Sequence, residues 1–250
     1  MTVAPATVGR KPDCRSSVQV RLISGFELSV GSLVVDAPFA VQRLVAFLAL
    51  HPRPLHRNYV AGSLWLDKTD TRATSNLRSA LWRTREVGAE LIRSTRTHLR
   101  LGEDIDVDVT KADSLARQLL SGGTSQACVD VKLLTGELLP DWYDDWVIVE
   151  RERLRQLCLN ALEQLSASWL ADGRLGLAVD AAYAAVAAEP LRETANRALV
   201  EAHLAAGNRM EAVNHYASYR KLLKEALGFE PSGEFRRRLS MAIGDERGNH

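Results

Sequence analysis

Residues 71–88, TRATSNLRSALWRTREVG, combine a helical hydrophobic period with arginines, an asparagine and small hydroxyl side chains. Leu77, Ala80, Leu81 and Thr84 fall at i, i+3, i+4 and i+7, the spacing of one buried helical stripe. Arg72, Asn76, Ser79 and Arg83 repeat on a neighbouring face, flanked by Arg78 and Arg85. A solvated helix normally mixes signs to gain i,i+4 pairs, but no acidic residue stands between Arg72 and Arg85. Like charges held together destabilise a helix unless something offsets them, and nucleic-acid phosphates would do so. The bland alternative is a solvated surface.

If this helix reads DNA, side-chain geometry assigns the roles. Arg83 and Asn76 are the candidates for base edges, because guanidinium pairs with guanine and carboxamide with adenine through two bonds. Ser79 is small enough to let the helix approach. Arg72, Arg78 and Arg85 neutralise phosphates, fixing register without reading sequence. Trp82 either packs between helix and hairpin or lies against a sugar edge, core packing being the commoner outcome. The segment LIRSTRTHLRLG that follows reads as a hairpin around Ser94 to Thr97, carrying Arg93, Arg96, His98 and Arg100. Arg96 at its tip is the candidate for the minor groove or the backbone. From Arg72 to Arg100, seven arginines stand against Glu86 and Glu90, a net of +5 in a chain of formal net charge +1, so the remainder is mildly acidic.

Other residues with chemical potential fall away on spacing. Asp104, Asp106 and Asp108 alternate like the start of a calcium loop, but Val109 stands where glycine is needed and Leu115 where the bidentate glutamate should be. The segment is read as the exposed edge of a short strand, with Ile105, Val107 and Val109 facing inward. Asp141, Asp144 and Asp145, beside Trp142, Tyr143 and Trp146, are read as helix caps and dipole partners, with the aromatics burying the first turn. The six histidines show no ligand spacing, and His203 and His215 are assigned to helix surface or core. Phosphate-loop, nucleophile-elbow and dinucleotide-binding glycine motifs are missing from the sequence, so catalytic, metal and cofactor sites are all expected to be none.

The elements that must position the arginine helix can be read from period. SVQVRLISGFELSVGSLVVD alternates as three short strands of an antiparallel sheet, with Gly31-Ser32 as a two-residue turn. Val41, Leu44, Val45 and Leu48 form a first helix ending near His51-Pro52. Val60, Ala61 and Leu64 face inward on a second helix from about Asn58. The third helix is capped by Thr71 and closed by Gly88. Sheet, three helices and basic hairpin follow the order of a winged helix-turn-helix, whose third helix enters the major groove.

From about Lys111 the chain is helical and rich in Ala and Leu. Gly173 and Gly207 are 34 residues apart, and Ala178-Val179 recurs as Ala212-Val213, the period of tetratricopeptide helix pairs. Helices around Leu154 to Leu170 are expected to supply a third pair. The fold class is mainly α with small β: a tail over residues 1–16, a winged unit over 17–110 and an all-α unit over 111–250. Three cysteines without a CxxC spacing, no signal peptide and no membrane-length apolar run point to the cytoplasm and no membrane partner.

The segments VQVRLISGFELSVG, VQRLVAFLALHP, SLWLD, SNLRSALWRTR, LLPDWYDDWVIVERERLRQL and AAVAAEPLRETANRALVEAHLAAGNRMEAVNHYASYRKLLKEALGFEPS resemble the Streptomyces antibiotic regulatory protein (SARP) family across residues 18 to 235. The resemblance implies an OmpR-type winged helix followed by a bacterial transcriptional activator domain. It implies an activator, associated with the nucleoid, that binds direct repeats in promoter DNA near the −35 region. Its partners would be RNA polymerase, through the sigma factor and the C-terminal domain of the alpha subunit, and a second protomer on the DNA. Secondary-metabolite clusters are the typical targets. By position, the third helix falls on 72–87 and the wing on 91–101, with Arg83 as base reader and Arg85 on the backbone. Trp82 and Ser79 depart from the wider OmpR-type pattern, so a preferred base sequence does not carry over. The chain ends at His250 without the ATPase module of larger members, and no receiver domain precedes the wing, so neither nucleotide control nor phosphorylation is expected. The alternative is a tetratricopeptide-like interaction scaffold whose winged helix docks or binds nucleic acid without specificity.

Overall fold

The computed structural model describes residues 17–87, 90–122 and 129–244. The tail, Gly88, Cys14 and Cys128 lie outside the described residues. The chain is mainly helical with small sheets and divides into two units.

The winged unit comprises residues up to Val20 and Glu27–Val107. Its elements are β1 (Val18–Arg21), β2 (Glu27–Val30), β3 (Leu33–Val34), α1 (Phe39–Ala49), β4 (Leu55–His56), α2 (Arg57–Leu64), α3 (Asp70–Thr84), β5 (Ile92–Ser94), β6 (His98–Leu101) and β7 (Ile105–Val107). The first sheet has the order β3-β2-β1-β7. Gly31, at φ 63°, makes the turn into β3, a left-handed conformation that glycine adopts without penalty. The sheet is not wholly antiparallel: β7 pairs parallel to β1, Val18 opposite Ile105 and Val20 opposite Val107. On α1, Val41, Leu44, Val45 and Leu48 are all buried, as their spacing requires.

The helical unit comprises residues 21–26 and those from Asp108 onward. It contains α4 (Asp108–Leu120), α5 (Asp145–Ala171), α6 (Leu175–Ala188), α7 (Glu193–Ala205), α8 (Arg209–Leu227) and α9 (Gly233–Gly244). Residues 154–170 are not a helix pair but part of the single 27-residue α5, which packs against α6. The 34-residue repeat recurs in backbone geometry. Gly173 and Gly207 adopt φ of 72° and 78°, and Arg174 N–H donates to Trp169 O at 2.8 Å just as Asn208 N–H donates to His203 O at 2.9 Å. These bonds satisfy carbonyls that a helix end would otherwise leave without partners. The repeated Ala178 and Ala212 are both fully buried, so the small side chain sets a close helix approach.

Three local expectations need correction. The strand Ile105–Val107 stops before Val109, which lies in α4, and Asp108 is not on a solvent-facing edge. Its half-buried carboxylate accepts N–H bonds from Leu22 (2.9 and 3.0 Å), Ile23 (3.0 Å) and Val109 (2.7 Å). Burial outweighs these amides and pushes its pKa up. The N-cap of α3 is Thr69, not Thr71, which lies in the first turn with its hydroxyl 3.2 Å from that of Thr69. At the start of α5, Asp144 caps without a side-chain bond to the helix amides, and Tyr143 is 81% exposed, so it does not bury the first turn. Trp142 does pack, stacking on Phe26 at 5.9 Å and meeting Trp146 edge-on at 6.3 Å.

His215 is half-buried on α8, with Nε2 2.9 Å from Asn196 Oδ1. Asn196 Nδ2 donates to Pro190 O and Arg192 O, so its oxygen faces the ring and His215 Nε2 is the donor. Burial first, and the charge of His203 second, push the His215 pKa down. The unfolded chain therefore takes up this proton more readily than the folded one, so stability falls as pH drops below the ordinary histidine value of about 6.5. Thermal midpoints measured from pH 7.5 to 5.5 should decline, and His215→Gln should flatten that decline. A slope identical in wild type and variant would assign the dependence elsewhere.

Candidate nucleic-acid interface

The arginine helix is held from beneath. Ala73, Leu77, Ala80 and Thr84 are buried, and α3 packs against α1 and α2. Thr84 enters this apolar layer with its hydroxyl satisfied, donating to Leu81 O at 2.8 Å. Leu81 is only half-buried, at one edge of the stripe.

The remaining faces are open. Arg72, Arg78, Ser79, Arg83 and Arg85 are exposed and Asn76 is half-exposed. Ser79 folds its hydroxyl back onto Ser75 O at 3.2 Å, which keeps its profile low. With 3.6 residues per turn, Arg72, Asn76, Ser79 and Arg83 share one stripe, while Arg78, Trp82 and Arg85 share a second. Trp82 is 61% exposed and so does not take the core position that tryptophan usually occupies. The second stripe lines an open cleft of about 610 Å³ together with Arg57, Glu90 and Ser94.

Among the described residues, Arg72, Arg78, Arg83, Arg85 and Arg96 make no side-chain hydrogen bond or ion pair. Many arginines of the helical unit behave differently. Arg117 bonds Asp113 at 2.6 Å, Arg153 bonds Glu150 at 2.7 Å, Arg192 bonds Glu163 at 2.7 Å and Arg238 bonds Glu201 at 2.9 Å. Along α3 the guanidiniums are left open. The helix dipole offsets part of the repulsion, since Arg83 lies in the last turn and Arg85 just beyond it, near the carbonyl end.

The wing is a three-stranded sheet of order β4-β6-β5, and Arg96 is exposed at the tip of its β5-β6 hairpin. Arg93 and Arg100 are register partners, and both reach Glu103, Arg93 at 3.3 Å and Arg100 in close contact. Arg93 is thus partly neutralised, and the wing's unpaired cation is at its tip. His98 is exposed, its Nδ1 2.9 Å from the Thr97 hydroxyl and its ring edge-on to His56 at 5.5 Å.

Sequence reasoning missed Arg57 and the strand before it. The amide of Arg57 donates to Thr97 O at 2.9 Å and its Nη2 donates to Ser94 Oγ at 2.7 Å, tying the start of α2 to the wing. Its Nε is buried without a hydrogen-bond partner. The signal that could have found it was the basic run HPRPLHRN, which places Arg53 and Arg57 just ahead of the second helix.

Among the described residues, no group of three or more His, Cys, Asp or Glu side chains is placed to hold a metal, and no helix is long and apolar enough to cross a membrane. Cys158 is buried.

This arrangement defines the class: a winged helix-turn-helix unit joined to an all-helical one. Residues 105–243, more than half of the sequence, match the family model of the bacterial transcriptional activator domain, and the chain belongs to that family. Family and element order agree with the SARP-type resemblance. No curated protein matches the sequence. Among solved structures, the chain is similar to Mycobacterium tuberculosis EmbR in complex with a low affinity phosphopeptide, at a TM-score of 0.70 and 17% identity. The match covers 92% of this chain and 65% of that one.

Proposed function

We propose that this protein is a sequence-specific transcriptional activator, in which residues 17–110 bind double-stranded promoter DNA and the helical unit supports protomer pairing and contact with RNA polymerase. One observation carries the reading: the unpaired, exposed guanidiniums of α3 and of the wing tip, in a chain that pairs many of its other arginines. Arg83 and Asn76 read base edges, with Ser79 allowing close approach. Arg72, Arg78 and Arg85 grip phosphates, and Trp82 lies against the backbone beside them. Arg96 enters the minor groove or holds the adjacent strand, while Arg93 and His98 support it. Direct repeats near the −35 region, polymerase contacts through the sigma factor and the C-terminal domain of the alpha subunit, nucleoid association and a secondary-metabolite target cluster follow from the family resemblance.

Replacing Arg83 tests the division of roles. Arg83→Ala should weaken binding to the preferred site by about 1–3 kcal/mol and flatten the preference at one base position, while binding to unrelated duplex changes little. Fluorescence anisotropy on the footprinted site and on a scrambled duplex measures both. Equal losses on the two duplexes would make Arg83 a phosphate contact instead.

A further inference from the structure

A second hollow, of about 460 Å³, lies wholly within the helical unit, between the loop 134–138, the N-terminal half of α5 and the last residues of α6. Leu134, Leu138, Leu154, Cys158 and Leu159, all buried, form its floor. Its mouth is kept open by small residues. Ala187 and Ala188 are exposed at the end of α6, where longer side chains would fill the space. Gly136 is required on the loop, because a Cβ there would sit 2.0 Å from Ile23 Cγ2.

The charges around the mouth are already engaged. Arg151 donates to the carbonyls of Leu138 (2.8 Å), Leu139 (2.5 Å) and Trp142 (2.8 Å), and lies 3.3 Å from Glu137. Those bonds pin the loop that forms one wall, including Leu139 in the left-handed region at φ 43°. Arg155 bridges Glu152, at 2.9 Å, and Glu189. Three carboxylates therefore face two guanidiniums that are each already bonded to carbonyls or carboxylates, so an anion entering the hollow would lose its hydration and meet a rim of net negative charge. An apolar body would cover the exposed side chains of Ile148, Ala187 and Ala188 and exclude water from them. The volume lies within the range of about 300–1,000 Å³ usual for small-molecule sites.

We propose that this hollow is a binding site for an uncharged, largely apolar small molecule about the size of two or three rings. The assignment is independent of the DNA reading, since it uses no residue of the winged unit.

Two fluorescent probes sharing one ring skeleton test it: neutral N-phenyl-1-naphthylamine and its sulfonated counterpart 1-anilinonaphthalene-8-sulfonate. With the full chain, the neutral probe should bind saturably at one per chain, and the sulfonate should bind at least tenfold more weakly. Ala188→Trp, at an exposed position, should weaken the neutral probe at least tenfold without moving the unfolding midpoint. Cys158 supplies a readout that needs no change in the pocket wall. Burial pushes its thiol up to about 11, so its alkylation is slow and controlled by access. In a chain carrying C14S and C128S, the neutral probe should slow N-ethylmaleimide modification of Cys158 several-fold. Equal affinity for the two probes, or saturable binding that leaves Cys158 alkylation unchanged, would overturn the proposal. Should Ala188→Trp fail to fold, Cys158 protection decides alone.

Discussion

Removing Arg72, Arg78 and Arg85 together should weaken binding to every duplex, specific or not, on the order of 100-fold at moderate salt, because each phosphate left without its arginine keeps the counterion that binding would have released. The slope of log affinity against log salt should become shallower by about 2.7, taking about 0.9 for each of three phosphates. All three side chains are exposed, and none makes an ion pair or side-chain hydrogen bond among the described residues, so circular dichroism and the unfolding midpoint should stay at wild-type values. Anisotropy titrations at several salt concentrations, on a specific and a scrambled duplex, separate this outcome from that of Arg83→Ala. The triple variant keeps its preference while losing affinity; the single variant loses preference. An interaction scaffold with a docking wing would show neither pattern.

Phe235→Ala should lower the stability of the helical unit by about 3–5 kcal/mol, the range for deleting a fully buried aromatic side chain. Phe235 is 1% exposed and lies among Val200, Ala212, Tyr219, Leu223 and Leu239. Its ring meets Tyr216 edge-on at 5.0 Å and Tyr219 at 6.0 Å, contacts worth more than their buried area. It is the main anchor of α9, which packs on α7. Urea denaturation followed by helical signal checks this; a loss below about 1 kcal/mol would mean that α9 is not docked.

Elements defined by local period were legible in the sequence. Leu44 and Leu48 on α1, Val60 and Leu64 on α2, and Leu77 and Ala80 on α3 announce their buried faces through spacing alone. The left-handed glycines at 173 and 207 were visible as a repeat because each ends a helix in the same way. What stayed hidden depends on partners far along the chain. Nothing near Asp108 indicates that its carboxylate holds the amides of Leu22 and Ile23, 86 and 85 positions away. The parallel pairing of β1 with β7 is hidden for the same reason: alternation gives the face of a strand, not its neighbour.

The interface shows the same division. The stripe of Arg72, Asn76, Ser79 and Arg83 could be drawn from the sequence, whereas the discount on Arg93 could not, because it needs the register that sets Arg93 beside Arg100 and Glu103. Arg57 was passed over because it opens a short helix with weak periodicity, and only the fold carries Ser94 to its guanidinium. Trp82 defeats a rule of composition. Placed one turn after Arg78, it follows the cleft-lining stripe rather than the buried one, and that can be seen once Ala73, Leu77, Ala80 and Thr84 are fixed as the buried face.

Hydroxyl-radical footprinting of upstream DNA with the wild-type chain and with the triple arginine variant, at low and moderate salt, tests DNA contact by α3 most directly. If α3 occupies a major groove, the wild type should protect repeated segments spaced near one helical turn, on one side of the duplex, and the variant should lose that protection at moderate salt. A wild-type chain that protects no defined segment, or a variant whose footprint matches the wild type at both salt concentrations, would contradict it.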